Sequence, residues 1–559
     1  MFPIHLTTLA SLGAGYLLSS GRIPDLPRVG FFVAFTATWL LQLLVWFAWA
    51  VILYPRFFSP LRHLPLVQGG SWYNGQWKVM VDNPTGKPQI DWINSVPNDG
   101  IIRYLGPLNA ERLMITSPKA LAEVLTTKSY DFEKPQPLRY FLGHILGFGL
   151  FFSEGNDHRV QRRKLMPAFS FRHTKDLYPV FWSKSRECVQ AMMEAIKSEH
   201  KPSVPGGEDR DPNVVEIGGW ASRATLDIIG VAGMGRDFEA IKNPNNELSQ
   251  TYQRIFRPDQ GERILGFLGQ FLPGWFLEAL PIKRNSEIHQ AARYIRATCA
   301  DMIREKKQKL ARKEFTGVDI LSVALESGGF DDENLIDQIM TFLLAGHETT
   351  ASSMTWAIYL LAKYPHIQTK LRNEIRERLP PLDDSDGDGA AMVSSMDIDK
   401  MPYLNAVCSE VLRYIAPVPI LSRDTACNTT IQGHFVPKGT RIILSPWAIN
   451  KSTAMWGAGA DQFDPERWIA KSEQDRHAAN GGAESNYAFM TFLHGPRSCI
   501  GREFARAEFA CLLASWVGRF EFEVYNKEDL DEDKIEIKGG ITARPAKGMH
   551  IKLTALDGW

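Results

Sequence analysis

Ten residues near the C-terminal end, Phe492-Leu493-His494-Gly495-Pro496-Arg497-Ser498-Cys499-Ile500-Gly501, combine one thiol, one guanidinium and two glycines. An anionic sulfur that ligates a haem iron needs a backbone loop passing close beneath the porphyrin, and Gly495 and Gly501 remove the side chains that would block that approach. Arg497, two residues before the thiol, can reach a haem propionate. Arg502 to Phe520 reads as a helix rich in Ala, Phe and Leu, whose N-terminal amides and dipole favour an anion at Cys499. A lone cysteine is ordinarily a buried structural residue. The spaced pattern F-x-x-G-x-R-x-C-x-G, headed by Phe492, argues for a ligand instead.

A second chemical segment lies inside Asp332 to Lys363, where acidic residues at the start, Leu335, Ile336, Ile339, Met340 and Leu343 at helical spacing, and Pro365 as a stop predict the longest helix outside the N-terminal segment. Ala345-Gly346-His347-Glu348-Thr349-Thr350 interrupts it with a glycine and consecutive polar groups, which costs helix stability in a buried place. Splitting dioxygen so that one of its atoms leaves as water would explain the interruption. That reaction needs a hydroxyl donor and an acid to feed it from solvent; Thr349 supplies the hydroxyl, Glu348 the acid, and Gly346 leaves room for dioxygen.

Together these segments resemble the haem-thiolate signature and the acid-alcohol motif of the cytochrome P450 family, of the eukaryotic microsomal, fungal type. Gly155 to Phe169 is similar to the family's G-x-x-W-x-x-x-R-R helix ending in P-x-F: Arg162 and Arg163 match, Pro167-Ala168-Phe169 closes the pattern, and His158 stands in place of tryptophan. His158 and Arg162, four apart, share a helix face and can point at one propionate, although an imidazole titrates near neutrality. Glu410 and Arg413 match E-x-x-R, and Asp464-Pro465-Glu466-Arg467-Trp468 matches the meander, so the resemblance implies a buried triad of Glu410, Arg413 and Arg467 shaping the loop to Cys499. It also implies Arg423 as a further propionate partner, and a substrate pocket walled by Phe342, Leu343 and Ala345, by Val418, Ile420 and Leu421, and by Ile541 and Thr542 of a late hairpin. Core packing is the competing reading of those apolar positions.

The implied fold is mainly α, a large helical haem domain with small β-sheets. The implied reaction puts one oxygen atom of dioxygen into a lipophilic small molecule, such as a lipid or secondary metabolite, by hydroxylation or epoxidation. The cofactor would be haem b, with electrons from NADPH through a separate diflavin NADPH-cytochrome P450 reductase. Rival readings are a reductase-independent haem-thiolate enzyme that isomerises or dehydrates peroxides, and a non-catalytic haem- or sterol-binding membrane protein.

The elements that must position this chemistry begin at a membrane. Gly30 to Tyr54 holds no charged residue and is long enough to cross a hydrocarbon core. Residues 1–29 form an apolar segment in which a second span is possible, with a single span ahead of a hairpin. Residues 55–66, with Pro55, Pro60 and Pro65, read as a stiff connector, and residues 67–559 as the catalytic domain. Orientation rests on the resemblance, which places that domain on the cytosolic face of the endoplasmic reticulum membrane.

Sixty-three basic and 63 acidic residues leave no formal net charge, so nothing points to nucleic acid. Six scattered cysteines argue against zinc or a disulfide framework and fit a reducing compartment. Asp131 to Gly149 reads as an irregular apolar loop, over the substrate or in the core. Ile264 to Leu277 is an apolar connection dipping into the bilayer or buried. Pro380 to Gly389 is an acidic surface loop rather than a calcium site. Arg159, Arg163, Lys164, Arg172 and Lys175 form a solvated face or a docking patch for an acidic electron donor.

Overall fold

The computed structural model describes residues 4–20, 28–199, 211–255, 276, 280, 282–314, 319–326, 328–382, 393–470, 477–538 and 541–559. All of the Ile264 to Leu277 connection except Phe276, nearly all of the acidic segment of the Pro380 to Gly389 loop, and Gly539-Gly540 lie outside the described residues.

The element that organises the molecule is the helix Asp332–Lys363, 32 residues long. Asp331 caps its first turn by accepting from the Asn334 amide, and Asp332 and Glu333 complement the positive end of the dipole. It is buried along nearly its whole length, which matches its apolar sequence. Helices Ile217–Ile228 and Arg502–Arg519 pack against it, and most of the interior of the protein forms one apolar cluster around these three.

A mixed five-stranded sheet stands beside this helical mass. In spatial order its strands are Ile101–Leu105, Glu111–Ile115, Arg441–Leu444, Leu421–Thr425 and Phe132–Glu133. The register Phe132 to Thr425 and Glu133 to Asp424 brings the chain after Phe132 beside Arg423. A second sheet pairs Val214–Glu216, His550–Ala555 and Phe520–Val524, closing the C-terminus onto the strand that follows the Cys499-side helix. The fold is thus mainly α with small sheets, as expected.

The N-terminal segment differs from the sequence reading in two ways. Ile4–Ser20 is itself helical and lies along Phe31–Phe47, joined by Gln42 Nε2 donating to Ser11 Oγ at 3.0 Å. Among the described residues, one helix is long and apolar enough to cross a membrane, Phe31–Phe58, with mean hydropathy 1.9 and 6% of its most apolar window buried. That helix runs through Pro55 rather than ending at Tyr54, because Ala48–Phe58 widens into π-helical turns.

The end of this helix is clasped by the first two strands of the five-stranded sheet and the turn between them. Asn109 Nδ2 donates to the Val51 carbonyl at 2.7 Å, Arg103 donates to the Pro55 carbonyl, and Arg103 pairs with Glu111 at 2.6 Å. Ser59 Oγ closes the clasp on Glu111 at 2.6 Å. The stiffness expected of a proline-rich connector is therefore supplied by buried polar contacts on backbone carbonyls.

The 131–149 region is also more regular than expected, since Gln136–Leu146 is a helix. Two of its breakers are boundary residues: Pro137 sits in the first turn, where no intrahelical N–H is needed, and Gly147 ends the helix at φ +75°. Leu142, Ile145 and Leu146, at spacings of three and four, face the core.

Arg103→Ala leaves the Glu111 carboxylate without its guanidinium in a nearly closed site. We expect the full chain to lose about 3–5 kcal/mol of unfolding free energy, read by denaturant titration in detergent; unchanged stability would show that the clasp is not held by this pair.

Candidate functional site

The Cys499 loop is a tight reversal. The Cys499 amide donates to the Phe492 carbonyl at 2.9 Å, and the Ser498 amide to the Gly495 carbonyl at 3.1 Å. Gly495 has φ +75°, and a Cβ there would stand 2.1 Å from the Leu125 carbonyl oxygen, so only glycine fits. This glycine is required by protein packing rather than by a porphyrin. A Cβ on Gly501 would meet only the Phe169 ring at 3.7 Å, so the protein itself leaves that side of the loop uncrowded.

Cys499 is exposed although its surroundings belong to the interior. Enclosure by protein pushes its thiol up; the Gly501 N–H and the Arg162 and Arg502 guanidinium groups act against this without reversing it. The helix start and nearby cations therefore do not by themselves produce the anion that the sequence suggested. A metal cation bound at the sulfur would, since a coordinating thiol is deprotonated outright.

The central helix opens one face in mid-course. Ala345 is exposed in mid-helix and Thr349, one turn on, is half-buried, while His347, Glu348 and Thr350 are buried. Thr349 Oγ1 donates to the Ala345 carbonyl at 2.8 Å. Phe169 spans the gap between the two functional segments, packing 5.2 Å from the Phe342 ring and lying next to Gly501.

Glu348 is turned into the protein. Its Oε2 takes a 2.6 Å ion pair from Arg544, and its Oε1 lies 3.2 Å from His347 Nε2. Arg544 belongs to the late hairpin, which is strapped across the site: Ser352 Oγ and Trp356 Nε1 both donate to the Ala543 carbonyl, and the Ala543 amide donates to Pro417. These bonds hold Ala543, the residue after Thr542, against Pro417, the residue before Val418.

Two pocket assignments and one dioxygen assignment are corrected. Leu343 is fully buried and Phe342 is packed on Phe169, so both are core. A Cβ on Gly346 would strike Ile229 at 2.9 Å, so this glycine allows helix–helix contact instead of making space for dioxygen. Ala345, Val418, Ile420, Leu421, Ile541 and Thr542 each retain exposed surface.

The expected propionate partners meet in a buried cluster of like charge. Arg497 donates to the Phe132 carbonyl at 2.5 Å and to Glu154, yet its Nε has no hydrogen-bond partner. Arg423 is 6% exposed, and its guanidinium is pushed down to about 10 by burial and by Arg497. His158 is pushed down to about 3 by burial and by Arg497, Lys134, Arg162 and Arg423, so it is a neutral ring, not one titrating near pH 7. Its Nδ1 contacts the Tyr130 hydroxyl at 3.2 Å. Arg162 instead grips the cysteine loop, donating to the Ser498 carbonyl at 2.6 Å.

Lys134 is the member that sequence reasoning missed. Burial, Arg423 and Arg497 push its ammonium well down, and Glu154, 3.7 Å away, is the carboxylate paired with it. Its place in the sequence, between Glu133 and Pro135 in a mixed polar stretch, gives no signal of burial. Several buried cations sharing one carboxylate, one with an orphaned N–H, are a poorly compensated charge. A ligand carrying two carboxylates fits such a cluster, and haem is such a ligand.

Behind the cysteine loop, Glu410, Arg413 and Arg467 come together. Arg413 is wholly buried and uses five N–H donors: two on Glu410 at 2.7 and 2.8 Å, and three on the carbonyls of Asn450, Ala460 and Gln462. Arg467 Nε reaches Glu410 at 3.1 Å, and Trp468 Nε1 adds a fourth group at 2.9 Å. Glu410→Gln removes the charge that three donor side chains surround. We expect a loss of about 3–5 kcal/mol in denaturant unfolding, and a loss under 1 kcal/mol would contradict the role given to this cluster.

With this geometry in place, the comparison with known proteins is specific. The family model for cytochrome P450 matches residues 100–551. Cytochrome P450 monooxygenase ALT8 of Alternaria alternata is 43% identical over 558 aligned residues, covering 92% of this chain and 93% of the relative. Cytochrome P450 monooxygenase sphH of Aspergillus fumigatus is 45% identical, with 91% of each chain covered, and FUM15 of Gibberella moniliformis is 44% identical, covering 91% of this chain and 90% of that one. On these matches the chain belongs to the cytochrome P450 family and is an oxidoreductase of the monooxygenase kind.

Proposed function

We propose that this enzyme is anchored in the endoplasmic reticulum membrane by Phe31–Phe58, faces the cytosol, and oxygenates a lipophilic small molecule with electrons from NADPH delivered by a diflavin reductase. The observation that carries the reading is an exposed thiol on a glycine-shaped loop, linked through Phe169 to a central helix whose open face bears Thr349 beside a buried acid.

Haem b would be held by Cys499 Sγ on its iron, with Arg497, Arg423, Lys134 and His158 available to its carboxylates and Phe492 and Gly501 in the loop that carries the thiol; when bound, it would supply the dioxygen-splitting chemistry. The protein's own contribution is the movement of protons and the exclusion of water. Glu348 is 6% exposed, and its route to solvent runs past Arg544, whose side chain is 28% exposed. The Thr349 hydroxyl rests on the Ala345 carbonyl and is free to turn its O–H, so it can pass on a proton that Glu348 replaces. Ala345, Val418, Ile420 and Leu421 offer apolar surface to the substrate, which suits a lipid, terpenoid or polyketide skeleton better than a polar one.

Two surfaces support the remaining parts of the proposal. Trp49, Leu53, Phe57 and Phe58 at the end of the membrane helix, with Trp72 and Tyr73 tied to it through Arg56 and Asn109, are exposed aromatic and apolar groups suited to a lipid interface. On the outer side of the cysteine loop, a groove of about 400 Å³ is lined by Phe171, Phe492, His494, Arg502 and Arg506. Arg159, Arg163 and Arg172 are exposed on the helix-rich segment leading to Phe171, and an acidic electron donor complements that charge.

Thr349→Ala should leave the haem spectrum intact and divert reductant into peroxide, so that product per NADPH falls several-fold. Full coupling in this variant would contradict the role given to Thr349.

A further inference from the structure

The acid-alcohol segment carries a histidine between Gly346 and Glu348. His347 is 1% exposed and held on three sides. Its carbonyl accepts from Thr225 Oγ1 at 3.0 Å, its ring stands edge-on to Tyr252 with centroids 5.0 Å apart, and its Nδ1 lies 2.6 Å from the Leu343 carbonyl. A carbonyl oxygen only accepts, so Nδ1 carries hydrogen. That assignment constrains Nε2, which faces Glu348 Oε1 at 3.2 Å. A bare ring nitrogen against a carboxylate oxygen would set lone pair against lone pair in a site closed to water. The contact is attractive only with a proton in it, carried by one atom or the other. Arg544 occupies the other carboxylate oxygen at 2.6 Å, which confines that proton to the His347 side.

We propose that His347 is a positioning residue of the proton supply: its Nε2 and Glu348 Oε1 hold one proton between them beside Thr349, and this is the proton that Glu348 passes on. The inference rests on the proton-delivery role proposed above for Glu348 and Thr349. The step balances simply. The proton leaves the pair toward the Thr349 hydroxyl, His347 keeps its Nδ1–H on Leu343, and a bare Nε2 is left against a carboxylate. That repulsive arrangement draws a replacement proton from water at the partly exposed Arg544 edge. Arg544 and Tyr252 face the pair, and Cys299 lies next to Tyr252. Burial holds the Tyr252 phenol and the Cys299 thiol up, so neither gives up a proton in this range.

The test uses the full-length, haem-loaded chain in lipid vesicles with an NADPH-fed diflavin reductase, comparing wild type, His347→Gln and Thr349→Ala. Glutamine keeps a hydrogen-bonding amide near Glu348 but holds no exchangeable store. Peroxide released per NADPH consumed is read between about pH 6 and 9. We expect a one-proton step in the wild type; His347→Gln should release several-fold more peroxide, without the step, while keeping the wild-type spectrum of the reduced carbon monoxide complex. A His347→Gln profile that matches wild type while Thr349→Ala uncouples overturns this proposal and leaves the proton-delivery reading standing. Full coupling in Thr349→Ala overturns both.

Should His347→Gln fail to fold, nitrogen-15 spectra of histidine-labelled wild type, reduced and carbon monoxide-bound, decide the matter. One ring with hydrogen at Nδ1 and a shared proton at Nε2 is expected among the 13 histidines. Bare Nε2 in every ring that carries Nδ1–H would overturn the inference.

Discussion

The arrangement depends first on one buried ion cluster. Arg413 and Glu410 are both fully removed from water, a state that is costly unless every polar atom is matched. Here the matching extends outward into the loop that carries the thiol. Asn450, whose carbonyl takes one Arg413 donor, returns its side-chain amide to the Arg413 carbonyl and to Thr491, and its oxygen accepts the Met490 amide. Thr491 in turn donates to the Leu412 carbonyl. Met490 and Thr491 directly precede Phe492, so the position of Cys499 is inherited from a charge pair far away in the chain.

A second constraint acts from the opposite side. The late hairpin is drawn onto the central helix by Ser352, Trp356 and Glu348 and onto Pro417 by its own backbone. The acid and the alcohol thus sit on a rigid helix, while access to them is set by a strap. The open face at Ala345 and Thr349 exists because neighbouring elements stop short of it, whereas Phe342 is covered by Phe169 and Gly346 by Ile229.

Much of this was legible in the order of residues because the chemistry is sparse there. A thiol between glycines, an acid and alcohol in an apolar helix, and two arginines with a glutamate were visible because each would be a fault in an ordinary core. What escaped depended on distance. Lys134 and Glu154 join Arg497 and Arg423 only through strand pairing between Phe132 and Thr425, which no local pattern announces. Phe342 and Leu343 were misassigned because helical spacing gives a face but not its neighbour, and the neighbour was Phe169. The sequence reads 131–149 as a loop, yet Pro137 and Gly147 bound a helix there, and it reads Pro55 as the start of a connector, yet wider turns carry the membrane helix through it and Arg103 holds its carbonyl.

Ligation of iron by Cys499 sulfur is the claim on which every other assignment turns. It is measured most directly by reducing the purified full-length protein under carbon monoxide and comparing wild type with Cys499→Ser. The wild type should give the strongly red-shifted Soret band produced by an anionic sulfur ligand, and the variant should lack it. A wild type without haem, or a band that survives the substitution, would contradict the account.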